Sequence, residues 1–400
     1  MILAAGEGRR LQPLTHGRAK PTLAVLGTPL IVHAARLLRS AGIREIVINL
    51  HRHGRSVVDA LERETSSPGN GDLAGISFSF SRERVLLGTG GGVGKVRDWL
   101  AAGGTAVVAN SDFLSDLDLA AAVEWHRAGD ALGTLVGTRP VGSFRGSLST
   151  DPSSRLLGIG TPPPEPGCGP ADPDGGTSRL EFAGVHILEP ELLTLFPDEP
   201  CDSVRDVYVK KVLGGAPGAR GSGRSGLAVF RHEGWWWEFG GLGPFLRGQL
   251  DLVRTRRLIE GGTLVERGGG AIWLAPGADL SAGAHARGVS VLGQSARVRE
   301  GAEIEDTVVL GHALIPSRCR LTRCIVAEGT VLTGGGRFED AAISSSPCAA
   351  PAALASAAET GGGRIPPPEG CKAEADLWVR SIPSEAARPL ERAGARPEAG

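Results

Sequence analysis

The chain has 400 residues, with 43 Lys and Arg against 44 Asp and Glu, for a net charge of −1. That length allows two or three domains with sizeable cores, and the near-neutral charge gives no bulk attraction to nucleic acid or to an acidic membrane surface. No run of 18 apolar residues is present, which excludes a transmembrane helix of ordinary length. Met1 leads straight into Ile2-Leu3 without a basic stretch and a long apolar run, so no secretory signal is visible. The six cysteines are scattered and none forms Cys-x-x-Cys; they read as reduced thiols of a cytoplasmic protein.

Ile2–Ala5 reads as the end of a first strand, short enough to predict a few further apolar residues upstream. It runs into Gly6-Glu7-Gly8-Arg9-Arg10, with Lys20 ten residues later. Gly6 and Gly8 are expected to take positive φ and to let a ligand approach the backbone closely. Successive N–H groups in such a turn make an anion site, and Arg10 and Lys20 add cations suited to phosphate oxygens. The stretch is neither a Walker A loop nor a Rossmann Gly-x-Gly-x-x-Gly, since position 11 is Leu. Taken alone, it could equally be a glycine-rich turn with surface arginines.

The order Leu-Ala-Ala-Gly-x-Gly-x-Arg-Leu-x-Pro-Leu-Thr, then Lys20-Pro21, then Gly27-Thr28-Pro29-Leu30-Ile31, resembles the opening of the sugar-1-phosphate nucleotidyltransferases. The resemblance implies a doubly wound α/β domain with a mostly parallel sheet, and a reaction of an NTP with a sugar 1-phosphate that gives an NDP-sugar and pyrophosphate. It implies that Ala4, Ala5, Gly6 and Gly8 hold the nucleotide, that Arg10 holds the leaving pyrophosphate, and that Lys20 stabilises charge at the α-phosphate.

Further along, Thr28 is expected to cap a helix that Gly42 ends, with Leu30, Ile31, Ala34, Leu37 and Leu38 on one face. Glu45–Leu50 reads as a buried strand, Arg55–Glu64 as a helix and Ile76–Ser81 as an alternating strand, an order that predicts a parallel sheet with covering helices. His51 and His53 read as a solvated loop pair rather than metal ligands. Glu83–Val93 contains Leu87-Gly88-Thr89-Gly90-Gly91, a loop able to lie flat against a ring; it resembles the family's nucleotide loop, which implies base and ribose contacts at Gly88, Thr89 and Gly90. A helix is expected over Lys95–Leu100. The strand Thr105–Asn110 ends in Asn110-Ser111-Asp112, and an acidic residue at the carboxyl end of a parallel strand lies where such sheets bind ligands. A helix-capping Asp is the bland alternative; the resemblance implies that Asp112 holds Mg²⁺. A helix over Asp118–His126 and a strand over Leu132–Thr138 follow.

Asp151–Ser178 reads as loop, with Pro164-Glu165-Pro166 where many relatives have Glu-Lys-Pro. Glu181–Leu188 resembles the family strand whose glycine lies under the sugar, which implies that role for Gly184, while His186 should face away from Val185 and Ile187. Gly214–Gly226 reads as a loop and Leu227–Phe230 as a returning strand. Gly234-Trp235-Trp236-Trp237-Glu238-Phe239-Gly240 stands where relatives carry Trp-x-Asp, so the resemblance implies Glu238 as the second Mg²⁺ ligand. Leu246–Ile259 reads as the helix that closes a catalytic domain of residues 1–260.

From Gly262 apolar residues recur every six: Leu274, Leu280, Ala286, Leu292, Val298, Ile304 and Leu310, then after a slip Ile315 and Leu321, and Val326 and Leu332. That period predicts hexapeptide coils of a short left-handed parallel β-helix over 261–345, with a packing or homo-oligomerisation role and with Cys319 and Cys324 in its wall. Residues 346–400 read as a mostly disordered tail in which Leu377–Ile382 docks. The cues for the base conflict between uridylyl and guanylyl branches, so neither is chosen. Two other classes remain beside the enzyme: a non-catalytic nucleotide-sugar-binding regulatory homologue, suggested by Arg9, Ala19 and Glu238, and a β-helix acyltransferase.

Overall fold

A computed structural model describes residues 1–66, 73–140, 147–160, 178–215, 220–221, 224–345, 367–374 and 376–383. Pro164-Glu165-Pro166, Cys168 and Cys348 lie outside the described residues. The chain divides into two compact units. The first comprises Met1–Glu7, Gly17–Thr22 and Pro29–Trp237; the second comprises Gly8–His16, Leu23–Thr28 and Glu238–Gly400.

In the first unit, strand Ile2–Leu3 lies between Glu45–Leu50 and Ala106–Asn110, parallel to both, and Ser77–Arg82 extends the sheet beyond Glu45–Leu50. The long strand Ser178–Leu188 runs antiparallel to Ala106–Asn110 and to Gly133–Thr138, and Leu227–His232 joins Gly133–Thr138 in parallel. Alternate residues serve two cores. Ile46, Ile48, Val107, Ala109, Val185 and Ile187 pack with Ile31, Val57 and Leu119 from helices Leu30–Ser40, Gly54–Ser66 and Leu119–Ala128. Val47, Val108 and Leu188 pack with Leu100, Leu192 and Tyr208 on the other face. A sheet covered on both faces needs apolar residues in both registers, which is why these strands read as continuous apolar runs.

Local chemistry sets the helix ends. Leu30–Ser40 ends at Gly42, whose φ of +80° lets its N–H donate to the Arg39 carbonyl at 2.8 Å while Ile43 N–H reaches Leu38 O. Its start differs from expectation: Thr28 belongs to a two-residue strand and Pro29 occupies the cap position without a side-chain bond. Asp118 does cap Leu119–Ala128, accepting from Ala121 N–H at 2.9 Å. Gly88–Gly94, expected as a loop, is helical, and Arg97–Ala102 is the helix that follows. Ser203–Leu213 is an eleven-residue π-helix with Asp202 as its cap.

In the second unit the hexads form a parallel β-helix. Three faces are visible in the register: Leu274 pairs with Leu292, Leu280 with Val298, and Ala286 with Ile304. Each pair spans eighteen residues, three hexads to a coil. In the next coil Leu292 pairs with Val309, Val298 with Ile315 and Ile304 with Leu321, seventeen residues on. The missing residue falls between Ile304 and Val309, where Asp306 turns the chain at φ +46°. Val309 therefore takes the ladder position expected of Leu310. Cys319 and Cys324 are buried in the wall, as their spacing implied. Helix Leu242–Arg254 belongs to this unit, which takes in the chain from Glu238 onward, and Arg254 is bound to Asp306 at 2.9 Å. Within the tail, Leu377–Ser381 pairs antiparallel with Ala341–Ser345 and buries Trp378.

His186 is fully buried with its Nδ1 2.7 Å from the Tyr208 hydroxyl, facing away from Val185 and Ile187 as expected. Burial lowers its pKa to about 3 and raises that of Tyr208. The unfolded chain takes up this proton below about pH 6.5 and the folded chain does not. The stability is therefore present above pH 6.5 and is lost as pH falls from there towards 3. Moving from pH 7 to pH 5 should cost about 2 kcal/mol through this residue, and urea denaturation of His186→Gln at the two pH values should show that much less difference than wild type.

Candidate active site

The carboxyl ends of the parallel strands open onto a cavity of about 250 Å³ in the first unit. Its lining brings together Ala4, Ala5 and Gly6 from the first loop, Lys20, Gly88 and Thr89 from the glycine helix, and Asn110, Ser111 and Asp112 from the fourth strand in sheet order. Lys20 Nζ bonds Asp112 Oδ2 within it, both side chains mostly buried. A close cation and carboxylate with little water around them form a strong pair.

The first loop is held by side chains that motif reading missed. Ala4 N–H donates to Asn49 Oδ1 at 2.7 Å, and Asn49 Nδ2 donates to Glu83 Oε1 at 2.8 Å. The other Glu83 oxygen accepts from Leu87 N–H at 2.9 Å. Ser111 Oγ donates to Leu3 O at 2.7 Å. Asn49 sits at the end of an apolar strand and Glu83 just before the glycine run; both are buried, and buried polar groups need partners. Gly6 does not take the positive φ expected of it; Gly8 does, at +67°. The turn is made at Gly8, and a Cβ on Gly6 would meet nothing within 4 Å.

The glycines of the second loop divide in two. Gly88 and Thr89 line the cavity. Gly90 does not: its N–H and that of Gly91 both donate to Cys201 O, at 2.9 and 3.2 Å. Thr89 Oγ1 accepts from Ser203 N–H at 3.0 Å. The run is glycine-rich because segment 197–203 lies against it. A Cβ on Gly91 would strike Glu199 O, and one on Gly94 would strike Pro197 O. Gly90 packs the helix against Cys201 and Ser203. Gly184, at φ +81°, lies under Asn110; a Cβ there would come 2.8 Å from Asn110 Nδ2.

Arg10 and Glu238 belong to the second unit and pair with each other at 3.5 Å, both partly exposed. Arg10 stands on the single turn Arg9–Leu11, with Thr15 Oγ1 donating to Gly8 O at 3.0 Å. Gly240 lies against this pair: a Cβ there would displace the Glu238 carboxylate and lie 3.0 Å from Arg10 Nη2.

No group of three or more His, Cys, Asp or Glu that could hold a metal occurs among the described residues. A structural zinc site would need one. Mg²⁺ instead keeps several waters and is held by one or two carboxylates together with substrate phosphates. The Asp112 carboxylate, which lines an open cavity, fits that donor set.

A nucleotidyl transferase family profile matches residues 1–144, and a GlmU-like C-terminal hexapeptide profile matches residues 274–338. The chain is 32% identical over 250 residues to an N-acetylmuramate alpha-1-phosphate uridylyltransferase of Neisseria meningitidis serogroup B, covering 60% of this chain and 92% of the other. It is 28% identical over 326 residues to a mannose-1-phosphate guanylyltransferase of Mycobacterium tuberculosis, covering 81% and 82%. Over 232 residues it is 29% identical to a UTP–glucose-1-phosphate uridylyltransferase of Synechocystis, covering 54% and 56%.

Gly91→Ala tests the packing of the glycine helix. Overpacking of this kind costs about 1–3 kcal/mol. The variant should lose that much stability and bind nucleotide more weakly by calorimetry; wild-type stability would mean that segment 197–203 yields without cost.

Proposed function

Because the chain belongs to the nucleotidyl transferase family, we propose that it makes an NDP-sugar and pyrophosphate from an NTP and a sugar 1-phosphate. The observation that carries this reading is the Lys20–Asp112 pair inside a cavity lined by the first loop and by Gly88 and Thr89. An ammonium and a carboxylate that neutralise each other can exchange partners. Lys20 turns to the α-phosphate and the incoming sugar phosphate, and Asp112 is freed to act as a metal ligand. Mg²⁺ held by Asp112 would neutralise phosphate charge. Ala4, Ala5 and Gly6 give the nucleotide close access to backbone, and Gly88 and Thr89 border the base and ribose.

A phosphate oxygen of the sugar 1-phosphate attacks the α-phosphorus in line with the leaving pyrophosphate. The P–O bond to the β-phosphate breaks as the new P–O bond forms, so no covalent enzyme intermediate is required. The protein's part is positioning and charge neutralisation. Arg10 is assigned to the leaving pyrophosphate and Gly184 to the sugar side, supported by its place beneath Asn110. Glu238 is assigned as an acidic group of the same reaction and is tested on its own below. Self-association through the β-helix and a cytoplasmic location complete the reading; the described cysteines are free thiols, in keeping with a reducing compartment.

Pyrophosphate release should be measured with Mg²⁺ and three pairs: GTP with mannose 1-phosphate, UTP with glucose 1-phosphate, and UTP with N-acetylmuramate 1-phosphate. Turnover of at least one is expected. The competing reading is a regulatory homologue, favoured by Glu238 in place of Asp and by its engagement with Arg10; binding without turnover of any pair would select it.

Substitutions at two residues refine the assignment. Lys20→Met should lower kcat by about 10²–10³, the range for losing one preorganised group that stabilises developing charge, while KM for the NTP changes little. Glu238→Asp should keep metal-dependent turnover and Glu238→Gln should lose most of it. Wild-type rates in Glu238→Gln would remove Glu238 from the reaction.

A further inference from the structure

The turn that carries Arg10 is held by the far end of the chain. Arg380 Nη1 donates to Arg9 O at 3.0 Å and to Gln12 O at 3.4 Å. These are the carbonyls of the turn's first residue, which also accepts from Gln12 N–H at 3.3 Å, and of the residue that follows the turn Arg9–Leu11. Two residues earlier on the same strand, and so on the same face, Trp378 packs edge-on against His16, with ring centroids 4.4 Å apart. The strand is well anchored: Ala342 pairs with Arg380 and Ser344 with Trp378 on one side, and Lys372–Glu374 pairs with the strand on the other. Gly370, at φ +78°, backs the guanidinium; a Cβ there would lie 3.4 Å from Arg380 Cζ. Gly8–His16 and the C-terminal strand belong to one compact unit.

A three-residue turn gives its first and last carbonyls few intrinsic partners. A guanidinium that bonds carbonyls at both ends fixes the turn's orientation, and with it the direction in which Arg10 leaves the backbone. We propose that Arg380, braced by Trp378, is a positioning residue for Arg10. The C-terminal strand thereby sets the grip on the leaving pyrophosphate. The proposal rests on the assignment of Arg10 given above.

The test uses the full-length protein in the reverse direction, pyrophosphorolysis of GDP-mannose or UDP-glucose, whichever turns over. Arg380→Met should raise KM for pyrophosphate about tenfold and leave KM for the nucleotide sugar within twofold. Arg380→Lys, which keeps a donor, should recover part of the loss. In an Arg10→Met background the Arg380→Met change should add less than twofold, because residues acting through one group are not additive. A full tenfold effect in that background, or an unchanged KM for pyrophosphate in the single variant, overturns the proposal.

Hydrogen exchange supplies a readout independent of turnover. Amides from Arg9 to Gln12 should exchange about tenfold faster in Arg380→Met, with those of the parallel sheet unchanged; unaltered turn amides overturn the clasp. If Arg380→Met does not fold, Trp378→Phe and Arg380→Lys carry the same measurements with smaller expected shifts. If Arg10→Met itself leaves KM for pyrophosphate unchanged, the assignment of Arg10 is wrong. Turn exchange then still decides whether Arg380 holds the turn.

Discussion

A buried carboxylate joins the parts on which the first unit's cavity depends. Glu83 is 6% exposed, and its two oxygens accept from the Asn49 amide and from Leu87 N–H. Asn49 in turn accepts from Ala4 N–H. One side chain thus fixes the second strand, the first loop and the start of the glycine helix. Removing such a group would leave the buried Asn49 amide and the Leu87 N–H without partners, a cost of about 1–3 kcal/mol for each unsatisfied group. Gly92 is part of the same arrangement, since a Cβ there would come 2.7 Å from Asn49 Nδ2. Polar loops that must approach a charged ligand cannot be held by apolar packing alone, and this buried chain of bonds supplies the rigidity.

The charged groups assigned to the reaction are paired before any ligand enters. Lys20 faces Asp112 in the first unit, and Arg10 faces Glu238 in the second. The first pair is largely shielded and the second partly exposed, so solvent screens the second far more. A phosphate competes with a carboxylate for the cation in each case. The same pairing that keeps the loops ordered therefore also weakens non-specific anion binding, because only a ligand that supplies both negative charge and a cation of its own satisfies both partners of Lys20–Asp112.

Much of this was legible in the sequence, and the reasons for the rest are physical. The strands declared themselves because burial on both faces requires apolar residues at every position, as in Glu45–Leu50 and Ala106–Asn110. The hexads declared the β-helix, and even the slip before Ile315 was visible; that the ladder shifts onto Val309 was not, because Val309 and Leu310 are both apolar and only the coil register distinguishes them. The packing of Gly90 could not be read because the partner that occupies its N–H, Cys201, is remote in sequence. Glycine spacing cannot say whether a bare backbone faces a ligand or another strand of the chain. Asn49, Glu83 and Arg380 were missed for the same reason: each has a partner far away in sequence, Ala4 N–H for Asn49, the Asn49 amide for Glu83 and the Arg9 and Gln12 carbonyls for Arg380, and none belongs to a motif. The π-helix Ser203–Leu213 carries no periodicity that separates it from an α-helix by inspection.

In the proposed reaction the chain positions two phosphates for direct displacement at the α-phosphorus. The stereochemical course of the reaction tests it most directly. An NTP carrying sulfur at the α-phosphorus in a single configuration would be turned over with the sugar 1-phosphate, and the thio-nucleotide sugar analysed by ³¹P NMR. One in-line displacement inverts the configuration, so inversion is expected. Retention would require two displacements through a covalent enzyme intermediate and would contradict it.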